Sequence, residues 1–125
     1  MRCLLLAIAL CACGEPDETV YKHGAFTVVT HAQAEPPNDL PEYLQAIQAR
    51  HGFKDASIEF FPGYYMLGVA HRACDYDGHV IRIRTTQSAT VTTKQTCLPH
   101  EMAHHLLQSK RHDDLFFATE ETMRL

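Results

Sequence analysis

His100-Glu101-Met102-Ala103-His104 holds the most chemistry per residue in this chain. On an α-helix, residues four apart lie about 40° apart around the axis and one turn along it, so His100 and His104 can aim their imidazoles at one point. Glu101 projects beside that point and not into it. Two neutral ring nitrogens suit Zn²⁺, which lowers the pKa of a water to about 7, and a neighbouring carboxylate can then take the proton. The chemistry implied is peptide-bond hydrolysis. The local sequence predicts a helix on independent grounds. Pro99 falls where a first turn accepts it, Met102, Ala103, Leu106 and Leu107 supply an apolar face, and no Gly or Pro interrupts residues 100 to 107.

Two imidazoles do not complete a zinc site, and the stretch RHDDLFFATEE, Arg111 to Glu121, holds the candidates for a third ligand. On an unbroken helix His112 would stand about 12 Å up the axis from His104, too far to share an ion whose ligand atoms lie about 2 Å away. Use of His112 therefore requires a turn within the polar segment Gln108-Ser109-Lys110-Arg111. Asp113 or Asp114 would then cap a following helix from about Leu115 to Met123. His105 points off the ligand face. Tyr64, Tyr65, His71 and Tyr76 could stabilise an oxyanion, and the sequence assigns that role to none of them.

HEMAH resembles the signature of the zincin metallopeptidases, and its place after a strand-rich half is similar to theirs. The resemblance implies Glu101 as general base, His100 and His104 as metal ligands, Zn²⁺ as cofactor, and a peptide or protein substrate laid along an edge strand. Val80 to Thr85 is the expected strand. Metzincins continue with a glycine three residues after the second His and a third His three beyond it; this chain has Leu107 and Lys110 there, which excludes that branch. Small bacterial zincin-like proteins place a third His shortly after the helix, then an acidic residue and an aromatic. His112, Asp113 or Asp114, and Phe116 or Phe117 are similar to that arrangement, so His112 is the expected third ligand. A glutamate from a later helix, as in gluzincins, would be Glu120 or Glu121, and an aspartate, as in aspzincins, Asp113 or Asp114.

The elements that must hold these groups fit one small domain: the chain has 125 residues, of which 46% are apolar and 21% charged. A formal charge of −4 and the lack of any long Lys/Arg run exclude nucleic acid as a partner. The start, MRCLLLAIALCAC, has one positive charge and an apolar run far short of the roughly 20 residues that span a bilayer, so residues 1–12 read as a signal peptide. Leu10-Cys11-Ala12-Cys13-Gly14 resembles a bacterial lipobox with Cys13 as the lipidated residue. That implies a membrane-anchored lipoprotein of the cell envelope. Residues 13–19 read as a flexible tether and 20–125 as the folded domain. In an oxidising compartment Cys74 and Cys97 are expected to form a disulfide worth ~3 kcal/mol; buried free thiols are the other reading.

Phe26 to Thr30 reads as a strand, followed by a helix capped by Asn38 or Asp39, accepting Pro41 in its first turn and ending at Gly52. Ser57 to Phe61 and Tyr64 to Ala70 suggest a hairpin, Cys74 to Gly78 a turn, and His79 to Thr85 a half-buried strand. After a Ser/Thr-rich link, the HEMAH helix begins near Thr96 to Pro99. The expected class is α+β, a minimal zincin-like domain with a small twisted sheet packed on the HExxH helix and one or two further helices. Two other functions fit the same residues: a catalytically inactive metal-binding lipoprotein, or an interaction protein of the envelope that binds no metal.

Overall fold

Alternation of apolar and polar side chains in FTVVTH, ASIEFFP and VIRIRT suits strands that bury one face. The computed structural model describes residues 18–32, 34–62, 74–85 and 92–124. The expected signal peptide, Cys13 and the arm Tyr64 to Ala70 lie outside the described residues, as do Tyr64, Tyr65 and His71. In chain order the elements are β1 (Glu18–His23), β2 (Phe26–His31), α1 (Leu40–His51), β3 (Ala56–Pro62), β4 (Cys74–Tyr76), β5 (Val80–Thr85), a single 3₁₀ turn (Thr93–Gln95), α2 (Leu98–Leu107) and α3 (Asp114–Met123). They form an α+β fold with one five-stranded twisted sheet in the order β1-β2-β3-β5-β4. No helix among the described residues is long and apolar enough to cross a membrane.

The three central strands are parallel, with Val28 beside Ile58 and Ile58 beside Ile81, and both outer strands are antiparallel to their neighbours. Parallel neighbours need a crossover, and α1 supplies it between β2 and β3. From Ser57 to Phe60 both sides of β3 are taken, by β2 and by β5, so the hairpin expected at this strand does not form there. Two more corrections concern short segments. Cys74–Tyr76, expected as a turn, is a strand paired with Ile81 to Ile83, and the reversal is confined to the residues around Gly78 (φ 102°). Glu18 and Thr19, expected in the tether, already pair with β2 in a tight hairpin whose first loop residue, Gly24, has φ 62°.

Phe26, Val28, Ile58, Phe60, Ile81 and Ile83 line the buried face of the sheet. Leu40, Leu44 and Ile47 of α1, Leu98 and Met102 of α2, and Phe116 and Met123 of α3 close the same core. Each buried side chain of this size contributes roughly 1.5–3 kcal/mol. Helix α1 begins and ends as the sequence predicts, with Asp39 at its N-cap position and Gly52 (φ 65°) stopping it. The Asp39 carboxylate does not cap its own helix. It accepts from the Thr93 backbone N–H (2.9 Å) and hydroxyl (2.7 Å), and so fixes the 3₁₀ turn that leads into α2. The Tyr43 hydroxyl donates to the Met123 carbonyl (2.6 Å), which ties the end of α3 to α1.

Candidate metal centre

Helix α2 starts with Cys97 at its N-cap and Pro99 in the first turn, and Leu98 and Met102, four apart, seat it on the core. Cys97 is bonded to Cys74 of β4, with the Cα atoms 6.1 Å apart. That disulfide, expected from the sequence, fastens the edge strand to the first turn of the helix. Beyond the seated face the helix carries His100 and His104 at half-buried and buried positions.

The chain turns where the third ligand requires it. Gln108 has φ 51° and ψ 46°, a left-handed conformation that usually calls for glycine. Its backbone N–H reaches the carbonyls of His104 and His105, while its side-chain amide donates to the Tyr76 hydroxyl (2.9 Å) and the His105 carbonyl (2.8 Å). Side-chain bonds thus offset a backbone cost of about 1–2 kcal/mol. Four residues later His112 has come back over the helix. Asp113 caps α3 by accepting from the Phe116 N–H (3.0 Å).

The result is a convergence of three Nε2 atoms. His100 Nε2 lies 3.3 Å from that of His104 and 3.3 Å from that of His112. One ligand atom from each ring lies within 4.8 Å of the others, so the group could hold a metal ion. A separation of 3.3 Å matches the edge of a tetrahedron around an ion about 2.0–2.1 Å from each nitrogen. The far nitrogens are occupied: His104 Nδ1 donates to the Ser109 carbonyl (2.8 Å), and His100 Nδ1 lies 3.3 Å from Glu120 Oε2. These partners favour the tautomer whose lone pair sits on Nε2. Burial, helped by the neighbouring His100 and His112, lowers the His104 pKa and keeps that ring neutral, against the pull of the Ser109 carbonyl.

Phe116 is the floor of the site. Its ring, fully buried, stacks on His104 (4.3 Å, 25°) and meets the rings of His100 and His112 nearly edge-on at 4.8 and 5.0 Å. Phe117, the other aromatic candidate, is 54% exposed. The remaining ligand candidates are not brought together with the histidines. Asp113 is spent on its cap, Asp114 and Glu121 are exposed, and Glu120 stands behind His100.

Glu101 is 8% exposed, and its carboxyl makes no hydrogen bond or ion pair with any described residue. Burial, reinforced by the carboxylates of Asp75 and Glu120 and opposed by Lys110, pushes its pKa up to about 7. A carboxyl whose pKa burial raises this far, beside three converging ring nitrogens, is a candidate for a functional role. His105, by contrast, faces away: its Nε2 meets the Asp55 carbonyl (2.7 Å) and its ring stacks on Phe53.

Sequence reasoning missed Asp75, which β4 brings near Glu101, and took Glu120 only as a rival ligand. Neither carries a spacing signal: Asp75 is 26 positions before Glu101 and Glu120 is 20 after His100. Tyr76 is buried, and its hydroxyl accepts from the Gln108 amide (2.9 Å), a bond that leaves its own proton free to donate. Among the described residues the edge strand beside α2 is β4. The expected substrate strand β5 lies inside the sheet along Ile81 to Ile83. No protein-family model matches the chain, and no curated protein or solved structure is similar to it.

Proposed function

We propose that this chain is a zinc-dependent hydrolase of peptide bonds, a minimal member of the zincin type, exported and anchored through a lipid on Cys13. The observation that carries the reading is the pairing of three converging Nε2 atoms with one buried, unpartnered carboxyl on the same helical turn. His100, His104 and His112 would hold the ion. Three neutral nitrogens with a position left open suit Zn²⁺, which when bound polarises a carbonyl and acidifies water.

The chain's own residues supply the rest. Glu101 takes a proton from the attacking water as its oxygen bonds to the scissile carbonyl carbon, and returns that proton to the amine nitrogen as the C–N bond breaks. In the metal-free chain burial raises this carboxyl to about 7, and a dication held by the histidines would lower it toward the base that the first transfer needs. An extended peptide can add to the sheet beside β4, with backbone pairing that is indifferent to side-chain identity. Strand β4 is the edge that the disulfide ties to α2, so a peptide paired there would lie beside the histidines.

The deciding experiment measures zinc content and hydrolysis of an unfolded protein for the wild type, Glu101→Gln and His112→Ala. One zinc per chain is expected in the wild type, zinc without hydrolysis in Glu101→Gln, and weakened zinc in His112→Ala. Zinc binding with no hydrolysis in any variant would leave an inactive metal-binding protein; absence of stoichiometric zinc would leave an envelope interaction protein. Mass spectrometry of the mature N-terminus tests the anchor, and an unmodified start upstream of Cys13 would remove it.

A further inference from the structure

The last turn of α3 holds a linked set of polar groups that the hydrolytic reading does not use. Arg124 donates from Nη1 to the Lys94 carbonyl (2.8 Å) and from Nη2 to Glu120 Oε2 (2.8 Å). That same carboxylate oxygen lies 3.3 Å from His100 Nδ1. Lys94 belongs to the 3₁₀ turn just before α2, and the Glu120 side chain is only 16% exposed. The bonds therefore run from the turn that launches α2, through the end of α3, to the first histidine of the metal group. Glu120 and Arg124 are also one helical turn apart, so α3 presents them together.

We propose that Glu120, itself held by Arg124, is a positioning residue that sets the tautomer and ring angle of His100. The proposal rests on the metal-binding reading of the three histidines. His104 has a backbone carbonyl for the same purpose, and a backbone acceptor cannot be lost by substitution. His100 depends on a side chain 20 residues away. A proton held on Nδ1 leaves the Nε2 lone pair facing His104 and His112, whereas a ring without that acceptor divides its population between two tautomers, one of which cannot bind a metal through Nε2.

Three variants and a control test this. Zinc affinity, read by chelator competition, is expected to fall about 10–100-fold in Glu120→Ala, the range for loss of a partner to a metal-bound histidine. Glu120→Gln keeps an oxygen that can accept from Nδ1 and should recover most of that loss. Arg124→Ala should weaken zinc binding in the wild-type background and have no effect in the Glu120→Ala background, because it acts through Glu120. Tyr43→Phe removes another tether of α3 and should lower the melting temperature while leaving zinc affinity unchanged.

Imidazole nitrogen NMR of the metal-free protein gives a readout independent of metal. His100 should carry its proton on Nδ1 in the wild type and show a tautomer mixture in Glu120→Ala. An unchanged tautomer together with unchanged zinc affinity in Glu120→Ala overturns the proposal, as does a loss in Tyr43→Phe equal to that in Glu120→Ala. A wild type that binds no zinc sinks the metal reading instead, and the NMR comparison then still decides whether Glu120 orients His100.

Discussion

A lone histidine on the sheet and a cluster of three between the helices are built in opposite ways. On the half-buried outer face of the sheet, His31 has both ring nitrogens taken by carboxylates, Nε2 by Glu59 at 3.0 Å and Nδ1 by Glu18 at 3.5 Å, and its ring stacks on Phe61. Between α2 and α3, each Nε2 is turned toward other Nε2 atoms, and a carboxyl beside them has no partner among the described residues. The first satisfies itself. The second leaves three ring nitrogens facing one another beside a carboxyl with no protein partner among the described residues, an arrangement that could hold a metal ion. Histidine content says little about function; what matters is which ring nitrogens the fold leaves over.

The sharpest way to break this contrast is Glu101→Gln. Hydrolysis of an unfolded protein should fall by about 10²–10⁴, the range for loss of a general acid–base, with zinc content unchanged in the same sample. A rate that survives would class Glu101 with the self-satisfied groups. The same substitution has a second effect, seen in denaturant titrations of chelator-treated protein. A carboxyl raised from 4.5 to about 7 binds a proton more tightly folded than unfolded, so its favourable contribution is complete below 4.5 and is lost as the pH rises to 7. Wild type should therefore be less stable than Glu101→Gln at pH 8 by up to about 3 kcal/mol, and the gap should close by pH 4.

The next contrast compares the two directly. His112→Ala should weaken zinc by about 100-fold or more through loss of one of three ligands, while His31→Ala should leave zinc binding as it was, both read by chelator competition. Equal losses would mean that the two arrangements are not different in kind. The smallest effect belongs to the outer face. Its ion pairs are partly exposed, so Glu59→Gln should change stability by less than about 1 kcal/mol in a denaturant titration.

Much of the centre was legible because its signals are local. The i, i+4 spacing of His100 and His104, the polar turn and the capping aspartate together predict a reversal that returns His112 to the helix. The turn itself was the weak point, since Gln108 adopts a conformation normally reserved for glycine. It does so through bonds to Tyr76 and His105, partners that no local pattern reveals. The sheet was less legible for the same reason. A parallel neighbour such as β5 beside β3 is chosen by the whole fold, and the short strands β1 and β4 gain their pairing from partners and not from their own composition. Local spacing finds the three histidines. Contacts distant in sequence find Glu120, Asp75 and the true edge strand.

Cys97 precedes His100 by three residues, a spacing at which a thiolate and an imidazole on one helical face can chelate the same soft ion. Joined to Cys74, its sulfur is no longer available for that competing chelate. Any metal loading of the reduced protein would then meet a free Cys97 thiol beside the histidine turn, and a mixed sulfur–nitrogen complex is the expected outcome to test. Cobalt(II) substitution would reveal it as a thiolate charge-transfer band present in the reduced protein and missing in the disulfide-bonded one.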